Sequence, residues 1–416
     1  MATALTTVFL ALLILTTGTR IWLGRRHIAH IQSHRNQVPS AFSETISLEA
    51  HRKAADYSSA KTQLALQEGF AQALLLALLT LGGGLQLIDT VWRGAMPDYE
   101  ILRGALVILT ALLVSSLVDL PFSYYKTFIV DERFGFNKMT PRMFFTDLIK
   151  HSLVGLLLGA PILFAALYLM RGAGDYWWVY LWIIWSIFNL LMLAIYPTFI
   201  APLFNKFSPL KDETLKSRIE ALLHKCGFRS QGLFVMDGST RSSHGNAYFT
   251  GFGSSKRVVF FDTLLERLDA DEIEAVLAHE LGHFKHRHVI KRIALMFFVS
   301  FLGLALLGWL MQQAWFYASL GVREPSNYMA LLLFLLVSPV FLFLLRPLLA
   351  SYSRKNEFEA DEYAAQNADA HYLIEALVKL YRDNASTLTP DPLHSAFYDS
   401  HPPASIRISK LAAFTK

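Results

Sequence analysis

Seven long apolar stretches constrain this 416-residue chain more than any other feature of its sequence. Each is long enough to cross the hydrocarbon core of a bilayer as a helix, which takes about 20 apolar residues. Hydrophobic residues make up 53% of the chain and charged residues only 17%, which is outside the usual balance of a globular protein. The sequence therefore predicts a mainly α-helical, polytopic membrane protein with spans at about residues 5–23, 70–92, 104–124, 153–170, 177–200, 293–315 and 328–350.

Basic residues in the short loops predict the orientation of these spans. The loops after the first and third spans carry clusters of Lys and Arg, whereas the loops after the second, fourth and sixth spans hold only scattered charge. Cytoplasmic loops are the ones enriched in Lys and Arg, so the clusters should face the cytoplasm and the C-terminus should lie there too. The first span should be retained rather than cleaved as a signal peptide, because Arg20, Arg25 and Arg26 follow its apolar run and no basic residue precedes it.

This topology divides the chain into four parts. Residues 1–200 hold spans one to five with their loops, and residues 293–350 hold spans six and seven. Two soluble parts, residues 201–292 and 351–416, should both lie on the cytoplasmic side. Their chemistry can therefore be combined in one site.

The first soluble part contains His279-Glu280-Leu281-Gly282-His283, an HExxH sequence. On a helix this spacing puts two imidazoles one turn apart on one face, with a carboxylate beside them. Asp269 and Glu272 form a possible capping box, and apolar residues follow at helical spacing, so a helix is predicted here. The pattern indicates a zinc site in which His279 and His283 bind the metal and Glu280 acts as general base.

A third protein ligand is expected from the second soluble part. In a helix Glu357 and Asp361 share a face, so one can bind the metal while the other orients a ligand histidine. Glu359 should point elsewhere. The alternative interpretation of this acidic stretch is a solvated helix, which its pairing with HExxH disfavours.

Short runs rich in Val, Phe and Tyr precede the HExxH helix, at residues 232–236, 246–252 and 256–261, and an amphipathic helix is expected before them at residues 212–226. Gly and Ser separate the short runs, so a small antiparallel β-sheet is predicted. An edge strand can hold an extended peptide by main-chain hydrogen bonds. Asn246 is placed to bind the backbone of such a substrate, although it could also be a simple turn residue before a strand.

The remaining composition excludes several classes of protein. The single cysteine, Cys226, cannot form an intramolecular disulfide or a CxxC site. The net charge of +5 is modest and the basic residues cluster beside the spans, which favours contact with anionic lipid head groups over nucleic acid.

Further motifs resemble one known family, the type I CAAX prenyl endopeptidases, which are integral-membrane zinc proteases. The similarity includes HExxH, the Glu357 to Asp361 motif and sequences at 120–125, 134–137, 197–205, 244–249, 261–265 and 400–403. The resemblance implies seven helices around a large water-filled chamber with one zinc ion at its cytoplasmic end. It implies His279, His283 and Glu357 as zinc ligands, Glu280 as base, Asp361 behind a ligand, Asn246 on substrate, and His401 and Arg407 stabilising the oxyanion.

The sequence thus predicts a zinc metalloendopeptidase that cleaves near the C-terminus of a peptide or lipidated protein substrate. The resemblance makes an isoprenylated CAAX-type substrate the first expectation, in the bacterial inner membrane or the endoplasmic reticulum. One alternative is a quality-control metalloprotease that needs no lipid. Another is a non-enzymatic transporter with structural zinc, in which polar groups within the spans, such as Asp89, Asp119, Asn189 and Arg346, would line a transport path.

Overall fold

The computed structural model describes residues 1–228, 232–250 and 257–415, which are mainly helical. The first helices in chain order are α1 (Ala2–Ser33), α2 (Leu48–Leu79), α3 (Gly84–Ala95), α4 (Glu100–Tyr125), α5 (Pro141–Gly172), α6 (Trp177–Ile195), α7 (Glu213–Lys225) and α8 (Asp262–Leu265). They are followed by α9 (Ala270–Lys285), α10 (His288–Leu310), α11 (Ala314–Ser319), α12 (Asn327–Leu342), α13 (Arg346–Asn367), α14 (Ala370–Asp383), α15 (Pro392–Tyr398) and α16 (Ala404–Leu411).

Within the described residues, six helices are long and apolar enough to cross a membrane, or seven if one bent pair counts as a single span. The bent pair is α2 with α3, whose axes differ by 55°. It corresponds to the predicted second span, which is therefore broken rather than continuous. Gly83 lies at the break with φ of 78°, a left-handed conformation that glycine adopts without steric cost.

Several spanning helices have little buried surface. Only 6% of the apolar window of α6 and of α10 is buried, and 17% of that of α1 and of α5. The helix α12 differs, since half of its window is buried against its neighbours. Most residues of these helices thus keep part of their surface accessible, as expected for helices that stand in a wall rather than inside a packed bundle.

The soluble part contains a four-stranded sheet in the order β1-β2-β4-β3. The strands are β1 (Phe207–Pro209), β2 (Leu233–Met236), β3 (Ala247–Thr250) and β4 (Arg257–Phe261). The prediction of a fully antiparallel sheet was wrong, because β2 pairs in parallel with β4 while the two outer pairings are antiparallel. After β2 the chain passes to the far edge of the sheet to form β3, and β4 then returns into the gap between them. The predicted strand positions 251, 252 and 256 lie outside the described residues.

An apolar core unites the two soluble parts of the chain. It contains Leu215 and Ile219 of α7 and Val258 of β4, together with Leu281 of α9 and Leu373 of α14, all at most 6% exposed. Residues far apart in sequence thus bury their side chains in one cluster. This packing fixes α9 against the helices that follow the last span.

Candidate metal centre

The HExxH helix begins with the predicted capping box. Asp269 accepts a hydrogen bond from the Glu272 backbone N–H at 3.0 Å, and the Asp269 N–H donates to the Glu272 carboxylate at 2.9 Å. These bonds satisfy two N–H groups that the start of a helix leaves without partners. Further along α9, the rings of His279 and His283 lie 5.0 Å apart between centroids, on the same face.

A close helix crossing brings α13 to these histidines. A Cβ atom added to Gly282 would lie 2.8 Å from the Cα of Ala360, so only a glycine lets the two backbones approach this closely. Ala360 is itself fully buried at the contact. The crossing places Glu357 of α13 beside His279 and His283 of α9. Sequence reasoning did not assign a role to Gly282 or Ala360.

Three potential ligand atoms converge at the crossing. Glu357 lies 3.5 Å from Nε2 of His279 through Oε2, and 3.4 Å from Nε2 of His283 through Oε1. One ligand atom from each of the three residues lies within 4.8 Å of the others. Two imidazole nitrogens and one carboxylate oxygen form a donor set that suits a transition metal and leaves further coordination positions open.

The carboxylate of Glu357 gives independent support for a cation site. Its Oε2 atom is buried and has no hydrogen-bond partner among the described residues. A buried carboxylate oxygen without a partner is costly in free energy, and a metal ion held between Glu357 and the histidines would remove that cost. The residues present therefore fit a bound metal.

Behind His279, Asp361 and Arg407 form a buried pair. Asp361 lies 2.8 Å from Nδ1 of His279, and Arg407 donates to both Asp361 oxygens at 2.8 and 2.5 Å. A remaining nitrogen of Arg407 lies 3.9 Å from Glu357. Arg407 is only 5% exposed, so its guanidinium lies behind the ligand atoms and two of its donors are occupied by Asp361.

These neighbours set the protonation state of His279. Burial disfavours the charged imidazolium, but the carboxylates of Asp361 and Glu357 outweigh burial and raise the pKa of His279 to about 9. An imidazole must be neutral to donate electrons to a metal, so metal binding at His279 releases a proton.

Behind His283 lies a second chain of hydrogen bonds. Nδ1 of His283 lies 2.9 Å from Nδ1 of His288, and Nε2 of His288 lies 3.0 Å from the carboxylate of Glu359. With Nε2 of His283 turned to the metal, its proton would lie on Nδ1 and be donated to His288, which in turn donates from Nε2 to Glu359. Sequence reasoning set Glu359 aside because it faces away from Glu357. The sequence feature that could have indicated this hydrogen-bond chain is a further histidine, His288, five residues after His283.

The other predicted site residues lie around this centre. Glu280 follows His279 on α9 and is half-buried. The side chain of His401 is 61% exposed and its Nε2 lies 3.5 Å from Glu357, so it stands at the solvent side of the cluster. Asn246 is exposed and directly precedes β3, the edge strand of the sheet; its side-chain oxygen accepts from the Ala247 N–H at 2.8 Å.

Two family models match this chain, one after the other. Residues 27–206 match the model described as CAAX prenyl protease N-terminal, five membrane helices. Residues 209–415 match the model of peptidase family M48. The boundary between them falls where the helical wall gives way to the soluble part.

Relatives of known identity cover nearly the whole chain. The CAAX prenyl protease 1 homolog of Arabidopsis thaliana is 36% identical over 381 residues, which are 89% of each protein. The human CAAX prenyl protease 1 homolog is 31% identical over 97% of this chain and 95% of its own length. The crystal structure of S. mikatae Ste24p superposes with a TM-score of 0.89 at 30% identity, over 98% of each chain.

Proposed function

Because this chain belongs to the CAAX prenyl protease 1 family of M48 metallopeptidases, we propose that its metal is zinc, bound by His279, His283 and Glu357. The protein is a multi-pass membrane metalloendopeptidase whose substrates are peptides or proteins. The single observation that carries the zinc proposal is the convergence of two imidazole nitrogens with the Glu357 carboxylate. One oxygen of that carboxylate, Oε2, is buried and has no hydrogen-bond partner among the described residues.

Residues around the ligands have distinct proposed roles. Zinc bound there would polarise the scissile carbonyl and lower the pKa of a water molecule toward about 7. Glu280 takes the proton from that water and later delivers it to the leaving amine. His401 reaches the cluster from the solvent side, where it can donate to the oxygen that becomes negative as the peptide bond is attacked.

For Arg407 the geometry favours a supporting role over direct contact with the oxyanion. It is buried and binds both oxygens of Asp361, which in turn faces Nδ1 of His279. Arg407 thus fixes the direction of Asp361 and holds His279 with Nε2 toward the metal. Its Nη1 atom also lies 3.9 Å from Oε2 of Glu357.

The edge strand β3 is the proposed substrate platform. Among the described residues β3 pairs on one side, with β4, so its other side can add an extended peptide by main-chain hydrogen bonds. Asn246 at its start would bind the peptide backbone with its side-chain amide. The two segments 201–292 and 351–416 would act as one catalytic unit, since they share the core and the ligand set.

We further propose that the substrate carries an isoprenyl group and that the catalytic unit lies on the cytoplasmic side. The relatives' name, CAAX prenyl protease, and the basic loops beside the spans support these two proposals. A wall of helices with much of their surface accessible is consistent with a chamber that admits a lipidated tail.

Polar groups within the spans do not favour a transport path. Asp89 is bound by Arg93 and Tyr328, Asp119 by Gln72, and Asn189 donates to a backbone carbonyl of its own helix. These three are satisfied by structural neighbours. The fourth, Arg346, lies over the Tyr398 ring and lines a cavity at the start of α13.

A cleavage assay with two matched peptides tests the proposal. The purified protein should contain one zinc per chain and cleave a farnesylated CAAX peptide. The same peptide without the farnesyl group should be cleaved at least tenfold more slowly. Equal cleavage of both peptides would instead support the quality-control protease without a lipid requirement, and a metal-free, inactive wild type would overturn the zinc proposal itself.

A further inference from the structure

Two adjoining cavities lie between α1 and α2, away from the metal ligands. The first has a volume of about 390 Å³ and the second of about 230 Å³. Both are lined by Thr17, Arg20 and Gly69, so they form one continuous space with two ends.

The two ends differ in chemistry. The first cavity is lined by the polar side chains of Arg20, Lys61, Arg346, His394 and Tyr398, and by apolar side chains such as Ile21, Leu66 and Phe70. The second is lined mainly by aliphatic side chains of α1, α2 and α12: Leu13, Leu75, Leu76, Leu79, Leu336 and Val340. Apolar side chains thus line both cavities, whereas Lys61 and Arg346 line only the first, so the positive charge is concentrated there.

The cations have no carboxylate to balance them within this space. No Asp or Glu is among the described residues that line either cavity. Nε of Arg20 is buried and has no hydrogen-bond partner among the described residues. Asp131 lies outside the lining, accepts from the Tyr57 hydroxyl at 2.8 Å and acts on Lys61, so it balances part of that charge. Arg93 and Arg241 are paired with carboxylates elsewhere in the protein, whereas neither Arg20 nor Arg346 has such a partner in the described part of the chain.

Aromatic rings hold the cations in place. The guanidinium of Arg20 lies 5.0 Å from the centroid of the Phe343 ring, that of Arg346 lies 5.2 Å from Tyr398, and the ammonium of Lys61 lies 4.1 Å from Tyr57. Such contacts orient a cation without neutralising its charge.

The apolar end has the depth of one membrane leaflet. From Gly69 to Leu79 the helix α2 rises about 15 Å, which is half of the ~30 Å hydrocarbon core. Arg20 lies near the end of the apolar run of α1, where basic residues begin. A head group among the cations would therefore sit at the membrane surface, with its chain directed toward the membrane centre.

We propose that this space binds an anionic phospholipid, with its phosphate among Arg20, Lys61 and Arg346 and one acyl chain along the leucines of α1 and α2. A free anion would leave the aliphatic second cavity empty, and a neutral lipid would leave Arg20 and Arg346 without a balancing charge. Tyr398 is three residues before His401, so the bound lipid contacts the segment that leads into the metal centre.

Direct binding to the purified, full-length protein in detergent tests this proposal, independently of peptidase activity. The probes are phosphatidylglycerol, phosphatidylcholine with the same acyl chains, and inorganic phosphate. A basic residue near a head group strengthens binding about fivefold, so three should favour phosphatidylglycerol over phosphatidylcholine by roughly a hundredfold. Equal affinities for the two lipids would overturn the proposal. Inorganic phosphate binding as tightly as phosphatidylglycerol would overturn the acyl-chain part of it.

Two variants locate the site. In Gly69→Leu the added Cβ has no described atom within 4 Å, so the side chain extends into the shared space, and leucine favours a helix more than glycine does. It should weaken phosphatidylglycerol binding at least tenfold with an unchanged melting temperature. The triple variant Arg20→Gln, Lys61→Gln, Arg346→Gln should abolish the preference for the anionic lipid.

Matched controls lie on α1 outside the cavities. Gly18→Leu makes the same change at an equally open glycine, and Arg25→Gln removes an exposed charge at the same membrane level. Both should bind phosphatidylglycerol like the wild type. Unchanged phosphatidylglycerol binding in Gly69→Leu would place the lipid outside these cavities. Complete displacement of the lipid by a farnesylated peptide would instead assign the cavities to the substrate.

Discussion

Nδ1 of His283 lies 2.9 Å from Nδ1 of His288, on the side of the imidazole opposite the nitrogen that faces Glu357. His288 in turn lies 3.0 Å from Glu359. On the other side of the cluster, Asp361 and Arg407 stand behind His279 in the same way. Each ligand histidine therefore has its own support, one built from α13 and α16 and one from α10 and α13.

We predict that His288→Ala weakens metal binding by about 10–100-fold, the usual effect of removing a residue that orients a ligand. Glu359→Gln should have a smaller effect, because an amide can still accept the hydrogen bond from His288. His371→Ala is the control, since the exposed His371 side chain pairs with Glu375 on its own helix. Metal loss to a competing chelator measures the difference, and wild-type retention in His288→Ala would refute the supporting role.

Gly282→Ala should disturb the metal centre without changing any ligand. Its added methyl group meets the backbone of Ala360 at 2.8 Å, so α9 and α13 must move apart. We expect at least tenfold weaker metal binding, together with a lower melting temperature. Gly155→Ala in α5 serves as the control, because nothing lies within 4 Å of its Cβ. Full metal affinity in Gly282→Ala would mean that the crossing does not set the ligand geometry.

Glu280→Gln should separate metal binding from catalysis. Glutamine has nearly the same shape but cannot take a proton, so the metal content should match the wild type while peptide cleavage falls by about 10²–10⁴-fold, the range typical of general acid–base catalysis. Metal analysis and turnover are measured on the same preparation. His283→Ala is the counterpart and should lose the metal. Normal turnover by contaminant-free Glu280→Gln enzyme would rule out its role as base.

Arg407→Ala should lower kcat more than it raises KM, because Arg407 holds the ligands rather than the substrate. It also removes the two Arg407 hydrogen bonds of the buried Asp361 carboxylate, which keeps only its contact with His279, and breaking such a buried pair costs about 3–5 kcal/mol of stability. Arg407→Lys keeps the charge but not the two-pronged contact, and should recover part of kcat. A variant with unchanged kcat and raised KM would make Arg407 a substrate-binding residue instead.

Several features of the protein follow from the sequence alone, because they depend on local composition and spacing. Apolar length predicted the spans, and the spacing from His279 to His283 predicted one histidine face on a capped helix. The helical offset of Glu357 and Asp361 predicted that both would face the same side. Each of these needs only the geometry of one helix or the thickness of a membrane.

The remaining features were decided by the tertiary structure, because they depend on contacts between segments distant in sequence. The parallel pairing of β2 with β4 arises from how elements pack, which local periodicity does not encode. The same is true of the contact between Gly282 and Ala360, and of the path from His283 to Glu359. More than seventy positions separate Gly282 from Ala360 and His288 from Glu359, and sequence spacing does not show which distant residues meet. Spacing therefore predicted the ligands, but not the residues that hold them in position.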